Sequence, residues 1–205
     1  MEYVFSKSTG NYRNKATGRK VSDRQLYGWV EDAVTRGGAN LERFARQLQR
    51  GEINKAQWAL SSGEEIRNMH RAVAMIANGG KAQMGPSQWG FVGSRIRSEL
   101  TYFNAFASEV DNIPEGAVLT DAFVSRAKSY FNAAYTTYAQ ALRRRVIEAS
   151  HADFEENILE AGSVHCEGCL GASAAGPVPI GTLVEIGARE CGGRCRCRIV
   201  YSSED

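Results

Sequence analysis

Pro86-Ser87-Gln88-Trp89-Gly90-Phe91-Val92-Gly93-Ser94-Arg95-Ile96-Arg97-Ser98-Glu99-Leu100-Thr101-Tyr102-Phe103 places Trp89, Val92, Ile96, Leu100 and Phe103 three or four residues apart, and Val110 follows one heptad later. This spacing is the stripe of a long amphipathic helix that buries one face. Gly85-Pro86 opens the segment, and Pro114 and Gly116 break it.

The same period extends outward in both directions. Upstream, Asn54 is a plausible cap, and Trp58, Ile66, Met69, Val73 and Ile76 recur until Asn78-Gly79-Gly80, a C-terminal stop. Further upstream, Ser22 with Gln25 forms a capping-box pattern ahead of Leu26, Trp29, Val30 and Val34. Gly37-Gly38 predicts an end to that helix, with a second from about Asn40 to Arg50 carrying Leu41, Phe44 and Leu48. Downstream, Thr120 and Asp121 start a last helix through Phe123, Tyr130, Phe131, Ala134, Tyr138, Leu142 and Val146. It is expected to bend near Ser150 and to continue to Ala161.

The expected fold is therefore mainly α: a bundle of about five helices over residues 22–161, with neighbours antiparallel because connections are short. The aromatics on the stripes, Trp58, Trp89, Phe103, Phe131 and Tyr138, read as core. Residues 1–21 read as an extended N-terminal arm, since Asn11, Asn14, Thr17 and Gly18 supply turn chemistry without a helical period. That arm carries Arg13, Lys15, Arg19 and Lys20, and Arg143-Arg144-Arg145 forms a second basic block. Each block is read first as a solvated face, and otherwise as a surface for nucleic acid or an acidic protein.

At Gly162 the composition changes. Residues 162–205 read as a Gly-rich cysteine module with short strand material at Val178, Ile180, Leu183, Val184 and Ile186, and again at Ile199, Val200 and Tyr201. So few apolar residues cannot form a separate core, and a segment of this kind needs a staple.

All five cysteines lie here: Cys166 and Cys169, then Cys191, Cys195 and Cys197. Close thiol groups about 20 residues apart are the spacing of a zinc site, because the ion takes four thiolate or imidazole donors in a tetrahedron. Cys166, Cys169 and Cys191 are the expected ligands. If Arg196 lies in a strand, Cys195 and Cys197 point to opposite faces and one of them completes the site, with Cys195 favoured. His165 reads as a neighbour rather than a ligand. All-thiolate coordination is structural by default, so the expected cofactor is a structural zinc ion. Gly168 is expected to ease a tight turn between Cys166 and Cys169. The alternatives are disulfides in an extracellular particle, an iron–sulfur cluster, or redox use of Cys166 and Cys169; the last would need a strand–helix context that the pattern does not predict.

The averages are those of an ordinary globular chain: 205 residues, 43% hydrophobic, 23% charged, net charge +2. No apolar run approaches the roughly 20 residues that span a bilayer. Met1-Glu2-Tyr3-Val4-Phe5 lacks the pattern of a signal peptide, so a product assembled inside a cell is expected. Catalytic residues are not evident. His70 reads as buried structure, His151 with Asp153, Glu155 and Glu156 as a capped and solvated helix end, and neither glycine pair matches a phosphate loop.

The module resembles the C-terminal end of phage minor head, or head morphogenesis, proteins of the Mu-like type. The likeness rests on Cys166-Glu167-Gly168-Cys169, on Pro177-Val178-Pro179-Ile180-Gly181-Thr182-Leu183, and on Arg194-Cys195-Arg196-Cys197. Arg194 departs from the Asn usual there. Cys191 stands where many members have His, so the resemblance implies a ligand role for it. Tyr12-Arg13, Thr17-Gly18-Arg19-Lys20-Val21-Ser22, Gly51-Glu52-Ile53 through Trp58, Ala77-Asn78-Gly79-Gly80 and Trp89-Gly90-Phe91-Val92-Gly93 resemble other regions of the same phage proteins, less specifically.

The resemblance implies a non-enzymatic virion component acting in head assembly, assembled in the host cytoplasm and present in many copies. Its implied partners are portal, capsid or neck subunits, with packaged DNA a further candidate and no membrane. The other function weighed is a zinc-ribbon nucleic-acid binder, on the strength of Arg194, Arg196 and Arg198 beside the thiols.

Overall fold

The computed structural model describes residues 3–192 and 195–204. It is mainly α, with five helices in the body and a small sheet and cysteine cluster at the C-terminal end. The elements are β1 (Tyr3–Ser6), β2 (Asn11–Asn14), α1 (Asp23–Gln49), α2 (Lys55–Ala77), α3 (Pro86–Asp111), α4 (Asp121–Ser129), α5 (Ala133–Ala149), β3 (Phe154–Ile158), α6 (Glu167–Ala174), β4 (Val178–Pro179) and β5 (Arg198–Ser202).

The expected caps hold the body helices. Ser22 Oγ accepts from Gln25 N–H at 3.3 Å while Ser22 N–H donates to the Gln25 side chain at 3.0 Å. Asn54 and Gln57 repeat the exchange at 2.8 and 3.0 Å. Such caps satisfy amide donors that no earlier turn can reach. The core stripes then meet. Trp58 of α2 is fully buried against Phe103, Phe106 and Phe123, with ring centroids 5.3–5.5 Å apart. Each such side chain contributes about 1.5–3 kcal/mol by leaving water.

The two halves expected on either side of Gly37-Gly38 are instead one helix of 27 residues. A Cβ at position 37 would stand 2.0 Å from Met69 Sδ of α2, and one at 38 would stand 3.2 Å from the Phe131 ring. The pair lets α1 lie close against α2 and the Tyr130–Asn132 turn, so the glycines are a packing notch and not a stop.

Residues 1–21 are extended in backbone, but the described part does not project. β1 and β2 pair as an antiparallel hairpin whose Tyr3, Phe5 and Tyr12 enter the core. The hydroxyls of Tyr3 and Tyr12 donate to the carbonyls of Ile76 and Ala77 in the last turn of α2, where carbonyls run out of helical amides. Gln83 clamps Phe5 through both its backbone groups, at 2.7 and 2.8 Å. Arg13, Lys15, Arg19 and Lys20 stay exposed on the far side.

The last body helix also differs from expectation. A 3-10 turn at Tyr130–Asn132 separates α4 from α5. α5 stops where Ser150 adopts a left-handed φ of 53°. Residues 154–158, expected as helix, form β3, the centre of a sheet ordered β4-β3-β5. The sheet that carries the cysteine module thus begins before residue 162. Glu155 and Asn157 face inward with no solvent exposure and find partners both in α5 (Arg143) and in the folded module (Gly181, Leu183 and Arg189).

Of Arg143-Arg144-Arg145, only Arg144 is a solvated side chain. Arg143 is buried against Glu155, while Arg144 and Arg145 lie over the rings of Phe91 and Phe5.

Candidate metal centre

Glu155 is the anchor between body and module. Its carboxylate accepts from Arg143 Nε and Nη2 at 2.8 and 2.6 Å, and from the amides of Gly181 and Leu183 at 2.9 Å each. The bidentate pair ties β3 to α5, and the two amides hold the loop after β4. Gln140 of α5 adds a bond to the carbonyl of Ile186, at 2.9 Å. Gly187, at φ 94°, passes so close to α5 that a Cβ there would stand 2.3 Å from Thr136 Cγ2.

On this frame the five thiols converge, all free. Cys166 is the N-cap of α6 and Cys169 lies in its first turn. Cys169 Sγ is 3.6 Å from Cys191 Sγ and 3.6 Å from Cys195 Sγ. Around a tetrahedral ion with metal–sulfur bonds of about 2.3 Å, sulfurs stand about 3.8 Å apart. These five thiols could therefore hold a metal ion. Two sets of three have all their sulfurs within 4.8 Å of one another: Cys166, Cys169 and Cys191, and Cys169, Cys195 and Cys197.

The expectation that Cys195 and Cys197 face apart is overturned. β5 starts only at Arg198, so Arg196 is outside the strand and both sulfurs turn to the same cluster. Both are buried. Arg194 lies outside the described residues. The strand–helix context thought absent is partly present, since α6 follows β3; the thiols nonetheless face other thiols rather than an open surface pair.

His165 approaches more closely than expected. Its Nδ1 is 3.6 Å from Cys197 Sγ, and its Nε2 is 3.1 Å from the carbonyl of Glu160. A carbonyl can only accept, so Nε2 carries a proton, and Nδ1 is the ring atom turned to the sulfur. A metal-binding imidazole is oriented in this way.

The surrounding groups complement negative charge. Arg189 is buried; its Nη1 is 3.6 Å from Cys169 Sγ and 2.8 Å from Asn157 Oδ1, and two more of its bonds reach the Val184 carbonyl. Asn157 in turn donates to the Cys169 carbonyl at 3.2 Å. Burial alone would raise the Cys169 thiol, but Arg189 and the adjoining thiols outweigh it and bring it down to about 7. Burial pushes Cys195 up to about 12. Gly168 has ordinary helical backbone and so eases no turn; its role is space, because a Cβ would stand 2.7 Å from the Glu190 carboxylate, which accepts from its N–H at 3.1 Å. That carboxyl is held below the usual range by Cys166 and by the Gly168 amide.

Arg143, Glu155, Asn157 and Arg189 were not singled out from sequence as supports of the site. Arg143, Glu155 and Asn157 in a segment with helical neighbours, and Arg189 in a Gly-rich loop, carry no signal until β3 is known. His70 is buried as expected, with Nδ1 2.7 Å from Thr137 Oγ1, and burial brings its pKa down to about 4. His151 contacts the Lys7 carbonyl and packs on Gly10. Arg196 lies over Tyr135 at 4.1 Å, and Arg198 pairs with Glu160 at 3.0 Å. Among the described residues no helix is long and apolar enough to cross a membrane.

Comparison with protein-family models, with curated proteins and with solved structures finds no match.

Proposed function

We propose that this chain is a non-enzymatic structural protein, a minor head or neck component of a bacteriophage virion, whose C-terminal module is stapled by zinc. The observation that carries the reading is the thiol cluster seated against α5. Its spacing resembles the end of Mu-like minor head proteins, and the groups around it (Arg189, Asn157, Glu155) hold ligands and loops. Thiolate and imidazole donors with sulfur spacings near the tetrahedral value suit zinc.

In this reading the helical body packs against portal, capsid or neck subunits in a multi-copy assembly formed in the host cytoplasm. The exposed Arg13, Lys15, Arg19 and Lys20 supply an electropositive edge for an acidic neighbour or for packaged DNA. The zinc-ribbon nucleic-acid reading is less well supported, because Arg196 and Arg198 are engaged by tyrosine rings and Glu160.

Mass spectrometry of purified virions tests the role: the chain is expected at fixed stoichiometry, and its absence from both mature particles and assembly intermediates rules the role out. Elemental analysis of protein purified without reductant tests the staple. Bound zinc and loss of module structure on chelation are expected; two disulfides with no metal would overturn it.

A further inference from the structure

Among the described residues, no four of the five sulfurs lie all within 4.8 Å of one another. They group as two triangles, Cys166–Cys169–Cys191 and Cys169–Cys195–Cys197, joined at the Cys169 corner. A single tetrahedral ion needs four donors that are all mutual neighbours, about 3.8 Å apart for thiolates. We infer that the module holds two divalent ions of the zinc class, one in each triangle, bridged by the Cys169 thiolate. This rests on the metal reading above and extends it.

Three observations outside the thiols support a pair. The second triangle has an imidazole beside it: His165 Nδ1 stands 3.6 Å from Cys197 Sγ, and its Nε2 is 3.1 Å from the Glu160 carbonyl. A turn of that ring toward Cys169 and Cys195 would complete three thiolates and one imidazole, an ordinary zinc set. The first triangle opens on a cleft lined by Ser163, His165, Glu190 and Arg196. There the Glu190 carboxylate, fixed by the Gly168 amide, or a water takes the fourth position.

The third observation is charge. Two divalent ions against five thiolates leave one negative charge when a water completes the first triangle and two when Glu190 does, and the buried Arg189 guanidinium offsets one of them from 3.6 Å off the bridging sulfur. A single four-coordinate ion would leave at least one of the five clustered thiols without a metal bond. On binding, each thiol releases its proton to solvent.

Native mass spectrometry of the zinc-loaded full chain, with elemental analysis, reads the stoichiometry directly. Two ions per chain are expected in the unaltered protein, so the test does not hang on a variant folding. His165→Ala should lower occupancy to one, His165→Cys should keep two, and Cys169→Ser should lose both. One ion in the unaltered chain, unchanged by His165→Ala, overturns the pair but leaves the single-ion staple standing. No bound metal at all overturns both.

Discussion

Replacing Glu155 by Gln keeps the size of the side chain and removes its charge. In the native fold the carboxylate is fully buried and takes four donors, two from Arg143 and two from the amides of Gly181 and Leu183. The amide of Gln can still accept from backbone, but its NH2 group faces the guanidinium, and Arg143 is left as a buried, uncompensated cation. Breaking a buried pair in this way costs about 3–5 kcal/mol. Arg143 keeps its bond to the Leu183 carbonyl at 2.9 Å and the half-exposed Glu185 at 3.7 Å, which place the expected loss at the lower end, about 3 kcal/mol. Urea unfolding of Glu155→Gln, Arg143→Met and the double variant, followed by tryptophan fluorescence and circular dichroism at fixed metal, completes a double-mutant cycle. Each single change should cost about 3 kcal/mol and the pair should be coupled by at least about 2 kcal/mol, since the second change removes a charge already orphaned. Single losses below about 1 kcal/mol, or additive effects, would refute the claim that this pair joins module to body.

Other consequences follow from the packing. His70 is neutral and buried, with its pKa lowered from 6.5 to about 4. The unfolded chain therefore binds the proton first as pH falls, and the stability His70 confers is complete above 6.5 and lost progressively down to about 4. The loss is capped at about 3 kcal/mol; a His70→Gln variant should show a flatter stability–pH curve over that window, and an unchanged slope would rule the assignment out. Gly37→Ala should destabilise by about 1–2 kcal/mol, because overpacking against Met69 exceeds the gain in helix propensity. Gly28→Ala, in the same helix with nothing within 4 Å of the added Cβ, should instead stabilise by up to about 1 kcal/mol in thermal unfolding.

Much of the helical body is legible from local rules. The stripe from Trp89 to Val110, the caps at Ser22 and Asn54, and the stop at Gly79-Gly80 each depend on a few neighbouring residues, so the chain states them without reference to the fold. The thiol cluster is legible for a similar reason: cysteines at these spacings have few other uses than a shared ion or a bridge. Tertiary structure alone decides the remainder. Gly37-Gly38 is a stop by composition and a notch by virtue of Met69, a residue 32 positions away. Tyr3 and Tyr12 read as part of an arm until the end of α2 offers them carbonyls. Glu155 and Asn157 look like solvated helix residues until β3 forms and Arg143 and Arg189 reach them from distant segments. Which thiols could share an ion is likewise a matter of where Cys169 stands between Cys191 and Cys195. Periodicity and spacing carry information about what is near in the chain; burial of charge and close approach of backbone depend on what is near in space, and only the folded molecule brings those groups together.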